Sequence, residues 1–244
     1  MTLPRRLSAL ACALLAGLAS ALLAVTAPSG AAGAAGCGPR GYGYAGLELP
    51  DARHGIGAGL ASVATPVVER GHVAGWVGVG GPGQGPNGTD EWLQVGLNTQ
   101  SDGGRRNRLY YEIARPSGSI RYVEVAANVP ARRPLRVAVL ETASQPGAWR
   151  VWVNGHAVSP PIFLPASHLA LTPMAMTETW DGGAAVCNRF AYRFHHVVTA
   201  AAQGGGWHAL QRADVLQDRG YRVFRNERAD FLASSDPPPS PARA

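Results

Sequence analysis

The sequence of 244 residues predicts an all-β protein, on three observations. Short runs of strand-forming residues recur with Gly, Pro, Asn and Asp between them, and no helix-length amphipathic pattern precedes the C-terminal tail. In Ile120-Arg121-Tyr122-Val123-Glu124-Val125 apolar and polar residues nearly alternate, and Phe190, Tyr192 and Phe194 repeat the same two-residue period. That period buries one face of a strand and wets the other. Asn154-Gly155, set between two β-like runs, is the strongest turn signal, because both residues tolerate the left-handed backbone that a tight hairpin needs.

The strands expected in order are Gly57 to Thr65, Val73 to Gly80, Glu91 to Asn98, Arg108 to Arg115 and Ile120 to Val125. Leu135 to Glu141, Trp149 to Val153, Ala157 to Leu164, Met174 to Trp180 and Arg189 to Val198 follow. Pro82-Gly83, Gln145-Pro146-Gly147 and Pro160-Pro161 mark turns or edges, since proline cannot donate to a ladder. Strands this numerous in one segment must close a barrel or pack as two sheets. The domain spans 57–198 between an N-terminal extension at 35–56 and a C-terminal extension at 199–233, read as edge strands or a short helix. The proline-rich residues 234–244 read as a disordered tail.

Arg5 and Arg6 precede an uncharged Ala/Leu-rich run from Leu7 to Val25 and then small residues, the pattern of a cleavable export signal over 1–34. The alternative is a membrane anchor, but the run is only weakly apolar for a bilayer span. The expected location is therefore extracellular, with no membrane association once the signal is removed and a monomeric state. The formal net charge is +6 and every basic residue is Arg. Arg105, Arg106 and Arg108 form the densest basic group, read as a solvated loop between strands. An exported chain without a recognition motif gives no reason to expect nucleic acid.

Cys12 would leave with the signal, and the remaining Cys37 and Cys187 form an even pair that favours a disulfide in an oxidising compartment. No metal or other cofactor is expected, because no His or Cys spacing matches a ligand set. His195 and His196, adjacent on a strand, should point to opposite faces. Gly80-Gly81-Pro82-Gly83-Gln84-Gly85 lacks the Lys of a phosphate-binding loop and reads as a strand connection. Trp76, Trp92, Tyr110, Trp149, Trp152 and Trp180 are core candidates, although aromatics on an open face could stack on sugars or grip an extended peptide.

Trp76-Val77-Gly78-Val79-Gly80-Gly81, Trp92-Leu93-Gln94-Val95-Gly96-Leu97 and Tyr110-Tyr111-Glu112 resemble the motifs of the glutamic peptidases, the eqolisin family, from about Gly57 to Val198. The resemblance implies an antiparallel concanavalin-like β-sandwich, or jelly roll. It also implies a catalytic Gln and Glu on the concave face of one sheet. There the carboxylate activates water and the amide N–H stabilises the oxyanion. It places Gln94 at the catalytic glutamine and Glu112 near the pair, with Tyr110 on the same face by alternation. A Glu112 that is solvent-exposed or paired with an Arg is the competing reading.

Two departures stand out. Val95 replaces the family's Thr, which removes a polar neighbour. In Ala175-Met176-Thr177-Glu178-Thr179-Trp180-Asp181-Gly182, Glu178 best matches the first Glu of the family's Ala-Glu motif, so the catalytic Glu falls near Gly182. Asp181 is one residue short, which would send it to the opposite face. The base is then missing or has moved to Glu178. Two functions follow: a degenerate site that binds peptide or polysaccharide through Glu112, Tyr110, Trp76 and Trp92, or an acid endopeptidase using Gln94 and Glu178. A structural module with no site is the third.

Overall fold

A computed structural model describes residues 41–102, 104, 106–118, 120–180 and 187–239. These form two antiparallel sheets packed face to face, a β-sandwich, as expected from the sequence. In chain order the strands are β1 (Tyr42–Glu48), β2 (Gly55–Ser62), β3 (His72–Gly81), β4 (Glu91–Gln100), β5 (Asn107–Ala114) and β6 (Arg121–Val129). Then come β7 (Leu135–Glu141), β8 (Ala148–Val153), β9 (His156–Ala157), β10 (Ile162–Phe163), β11 (Pro173–Trp180) and β12 (Ala191–Ala202). The chain finishes with β13 (Gly205–Ala209), β14 (Asp214–Gln217), β15 (Tyr221–Arg225) and β16 (Phe231–Ser235).

One sheet has seven strands in the order β14-β1-β11-β3-β4-β5-β6. The other has nine, running β10-β8-β7-β2-β12-β16-β15 with β9 on β8 and β13 on β12. Period-two burial fixes the faces. Val73, Val77 and Val79 of β3, Leu93, Val95 and Leu97 of β4, and Leu109, Tyr111 and Ile113 of β5 all enter the core between the sheets. Val137, Val139, Trp149, Val151, Phe190, Tyr192 and Phe194 meet them from the other side. Phe194 stacks on Phe231 with ring centroids 4.4 Å apart. Gly75 is required at its place in β3, since a Cβ there would come within 2.6 Å of the Tyr192 ring. The Asn154-Gly155 turn forms as predicted, with φ of 50° and 84°.

The expected domain boundaries need correction at both ends. β1 is an inner strand of the seven-stranded sheet, between β11 and β14, rather than part of an extension. It escapes a sequence reading because Gly43 and Gly46 dilute its strand character. The 199–233 segment supplies four strands that complete both sheets, and Ser234 and Ser235, assigned to a disordered tail, are buried in β16. The expected strand Ala157 to Leu164 is two short pieces, β9 and β10, separated by Pro160-Pro161. Arg108 lies within β5, bonded to Gln100 at 2.7 Å and facing Glu124 at 3.6 Å, so it is not part of a solvated loop. Arg105 lies outside the described residues.

Candidate active site

The outer face of the seven-stranded sheet carries a second, smaller layer of buried side chains: Ala74, Trp76, Tyr110 and Met176, with Tyr44, Tyr122 and Met174 packed against them. Alternation puts these residues opposite the core. Trp76 sits at the centre, paired in register with Met176 of β11 and Gly96 of β4. Gly96 in turn faces Tyr110 of β5. A Cβ at Gly96 would meet the Gly75 carbonyl oxygen at 2.1 Å and Trp76 Cβ at 2.6 Å, so only glycine lets the indole lie across this row.

Glu178 and Gln94 occupy the two strands that flank β3, diagonally across Trp76. Glu178 is 9% exposed, and its carboxylate is fully engaged: Trp76 Nε1 donates to Oε2 at 3.0 Å, and His72 Nε2 lies 3.1 Å from Oε1. Gln94 faces Glu112 directly across β4 and β5. Its Nε2 donates to the Tyr110 hydroxyl at 3.1 Å, while Trp92 Nε1 donates to Glu112 Oε1 at 3.0 Å. Tyr122 stacks on Tyr110 at 5.0 Å and closes the β6 side.

The electrostatics tie these groups into one site. Burial and then the negative field of Glu178 push the Glu112 carboxyl above the usual range, against the opposing bond from Trp92. Burial, followed by the fields of Glu178 and Glu112, pushes the Tyr110 hydroxyl well up. Desolvation followed by the Glu124 charge pushes Tyr122 up to about 12. The phenol that receives the Gln94 amide therefore feels both carboxylates. Two carboxylates and an amide gathered on one face are groups that general acid–base chemistry can use.

All the residues singled out from the sequence at this site, Gln94, Glu178, Glu112, Tyr110, Trp76 and Trp92, share this face. Glu112 is half-buried and held by an indole rather than by an arginine. Val95 points into the core and is fully buried, so the lack of a Thr hydroxyl at this position takes nothing from the site face. Asp181 and Gly182 lie outside the described residues. Sequence reasoning missed His72, and its signal was present: it lies four residues before Trp76 on the same strand, hence on the same face. Tyr42, Tyr44 and Trp180 surround it as an aromatic rim. The Tyr42 and Tyr44 rings are stacked at 6.0 Å, and Trp180 lies 5.9 Å from the His72 ring. Beside His72 and Trp180 is a surface cavity of about 290 Å³ that also touches Gln100, Ser101 and Asp102.

His195 and His196 do not behave as alternation predicts. A register shift between His195 and Val198, with His196 at φ 49°, brings both residues to Asp230. His195 Nδ1 lies 3.2 Å from Oδ2, and the His196 backbone N–H donates to Oδ1 at 2.7 Å. A larger cavity of about 570 Å³ lies on the outer face of the other sheet, lined by Ala138, Leu140, Trp152, Val198 and Trp207. Among the described residues its lining holds no carboxylate, so volume and chemistry point to different faces and the chemistry identifies the candidate site.

No family model matches the chain, and no curated protein does. Solved structures do. Scytalido-glutamic peptidase with a peptide-based transition state analogue aligns at a TM-score of 0.55 and 13% identity, covering 80% of this chain and 98% of that one. The same peptidase with a transition state analogue inhibitor gives 0.54 and 16% over the same shares. At these identities the likeness is one of fold. This chain adopts, in divergent form, the β-sandwich of the glutamic peptidases.

Proposed function

We propose that the protein is an exported acid endopeptidase of the glutamic type, with Glu178 as general base and Gln94 as oxyanion donor. The observation that carries this reading is the placement of a buried, doubly hydrogen-bonded Glu178 on the face shared by Gln94 and Glu112. Met174 and Glu178 both face outward, four residues apart on β11. Glu178 thus fits the second, catalytic position of the family's motif, with Met174 in place of its first Glu. A shift to Gly182 is not needed, and the core-facing Val95 removes the other objection.

In this scheme Glu178 takes a proton from water as the water oxygen attacks the scissile carbonyl carbon. Tyr110 engages one N–H of the Gln94 amide, and the second N–H donates to the oxyanion. The proton held by Glu178 then passes to the leaving nitrogen as the C–N bond breaks. The raised pKa of Glu112 favours its protonated, uncharged form in acid. The aromatic rim of Tyr42, Tyr44 and Trp180 offers apolar area for an extended chain.

The pH dependence follows from Glu112. Its raised pKa means that ionisation, as pH climbs through the folded value, adds a negative charge to Glu112 beside the proposed base. Its contribution to stability has the same sign: fully present below the unfolded pKa and lost as pH rises through the folded one. Purified mature protein incubated with a denatured protein substrate is therefore expected to cleave it in acid and to lose activity toward neutral pH. Activity that peaks at neutral pH or above would sink the assignment. If folded protein binds peptide or polysaccharide without cleaving, the bond that occupies the Gln94 amide favours the binding-only reading.

Export also bears on the cysteines. We extend the proposal to a disulfide between Cys37 and Cys187, of which Cys37 lies outside the described residues. Intact mass after alkylation without reduction is expected to show neither thiol modified; labelling at both would overturn the pairing.

A further inference from the structure

At one end of the nine-stranded sheet, three segments distant in sequence bring together His54, Glu141 and His168. His54 immediately precedes β2, Glu141 ends β7, and His168 lies between β10 and β11. Their donor atoms all lie within 4.8 Å of one another. His54 Nδ1 is 2.6 Å from Glu141 Oε2, and His168 Nδ1 is 2.8 Å from Oε1. The Glu141 side chain is wholly buried, His54 is 12% exposed and His168 40%. None of the three takes part in the Gln94 and Glu178 site.

A buried carboxylate at a strand end normally finds an Arg or a set of backbone donors. Here it finds two imidazoles and one backbone N–H, from Gly147, at 2.5 Å from Oε1. That bond fixes the carboxylate from outside, as an outer-shell partner does for a metal ligand. Both imidazoles turn a ring nitrogen toward it, and the rings lie 5.4 Å apart by centroid, tilted 50°. Donors on a tetrahedral ion at about 2.0–2.1 Å stand roughly 3.3 Å from each other. A cation could therefore enter by exchanging the two hydrogen bonds for metal bonds, each His–carboxylate contact opening by about half an ångström and the two imidazole nitrogens, within 4.8 Å of each other, adjusting to the ion. Arg53, the neighbouring cation, is directed to the Ala52 carbonyl and to Asp51.

We propose that His54, Glu141 and His168 form a binding site for a divalent first-row transition ion, of which zinc is the type. Two imidazoles and one carboxylate select such ions over calcium or magnesium, which prefer all-oxygen shells. His54 also lines a surface cavity of about 390 Å³, which gives a fourth ligand or water a route to the open position. The ion would tie the entry of β2, the end of β7 and the loop bearing His168 to one centre, adding stability by mass action.

The test uses tag-free mature protein freed of metal by a chelator, titrated with zinc by calorimetry, with melting followed in parallel. The expected result is one equivalent bound and a rise in Tm of about 5–10 °C when free zinc is a hundredfold above Kd. His168→Ala, at the most exposed position, and Glu141→Gln are each expected to weaken binding at least about tenfold, and cobalt in place of zinc should give a four-coordinate visible spectrum. No saturable binding by folded protein overturns the proposal. So does binding that either variant leaves unchanged, which would locate the ion elsewhere and leave His54, Glu141 and His168 as a hydrogen-bonded clasp.

Discussion

Glu178→Gln is expected to lower kcat/KM for acid cleavage by about 10²- to 10⁴-fold while the protein stays folded, the usual range for loss of a positioned general base. The exchange is nearly isosteric. A carboxamide can still accept from Trp76 Nε1, so the 3.0 Å bond that seats the side chain survives. What disappears is the capacity to hold a proton from water. Gln94→Ala should cost about 10²- to 10³-fold by removing the oxyanion donor. The double variant should fall little below Glu178→Gln alone, because residues that act as a unit lose activity as a unit. Wild-type-like cleavage by Glu178→Gln, within about threefold, would exclude it as the base. Circular dichroism and melting curves on the same samples separate lost chemistry from lost fold.

The largest expected effect on stability is at Trp149. Trp149→Ala should destabilise the protein by about 3–5 kcal/mol, the range for emptying a buried indole from a core. A fall in Tm of roughly 10 °C follows for a domain of this size. The indole is completely buried in the core, and its Nε1 donates to Ser167 Oγ at 2.6 Å. Ser167 in turn donates to the Leu164 carbonyl, so the side chain both fills the core and pins the segment that follows β10. Trp180→Ala is the control: that side chain is 39% exposed at the rim, and its loss should cost under about 1 kcal/mol. Chemical denaturation of both variants checks the contrast, and equal losses would contradict the burial described.

Much of this molecule is legible in its sequence for a physical reason. In β3, β4 and β5 the alternation is strict, so one residue type per face is fixed once a single core residue is known. Gln94, Trp76 and Glu112 could be placed on one face that way. Glu178 was harder, because a short motif can be aligned at either of its two carboxylates and only the register of β11 against β3 decides which residues face out. Strands β13 to β15 were legible only as edge strands or a short helix: most of their residues are exposed or half-covered, and a weakly buried strand shows little period. His54, Glu141 and His168 have no spacing to recognise, since three separate chain segments bring them together. At His195 and His196 local alternation was overruled by a bulge.

The way the sheets close has a consequence for how the chain reaches this state. β1 pairs with β11 and β14, and β2 with β12, while β12 must also accept β16, which ends at Ser235. The earliest strands thus depend on partners made more than a hundred residues later, a topology of high contact order whose loop-closure entropy must be met before those pairings contribute. Folding should be slow, and a chain interrupted before β11 would leave both edges of β1 without a neighbour. The long interval before closure is when exposed strand edges can meet those of another molecule, so yield on refolding should fall as protein concentration rises.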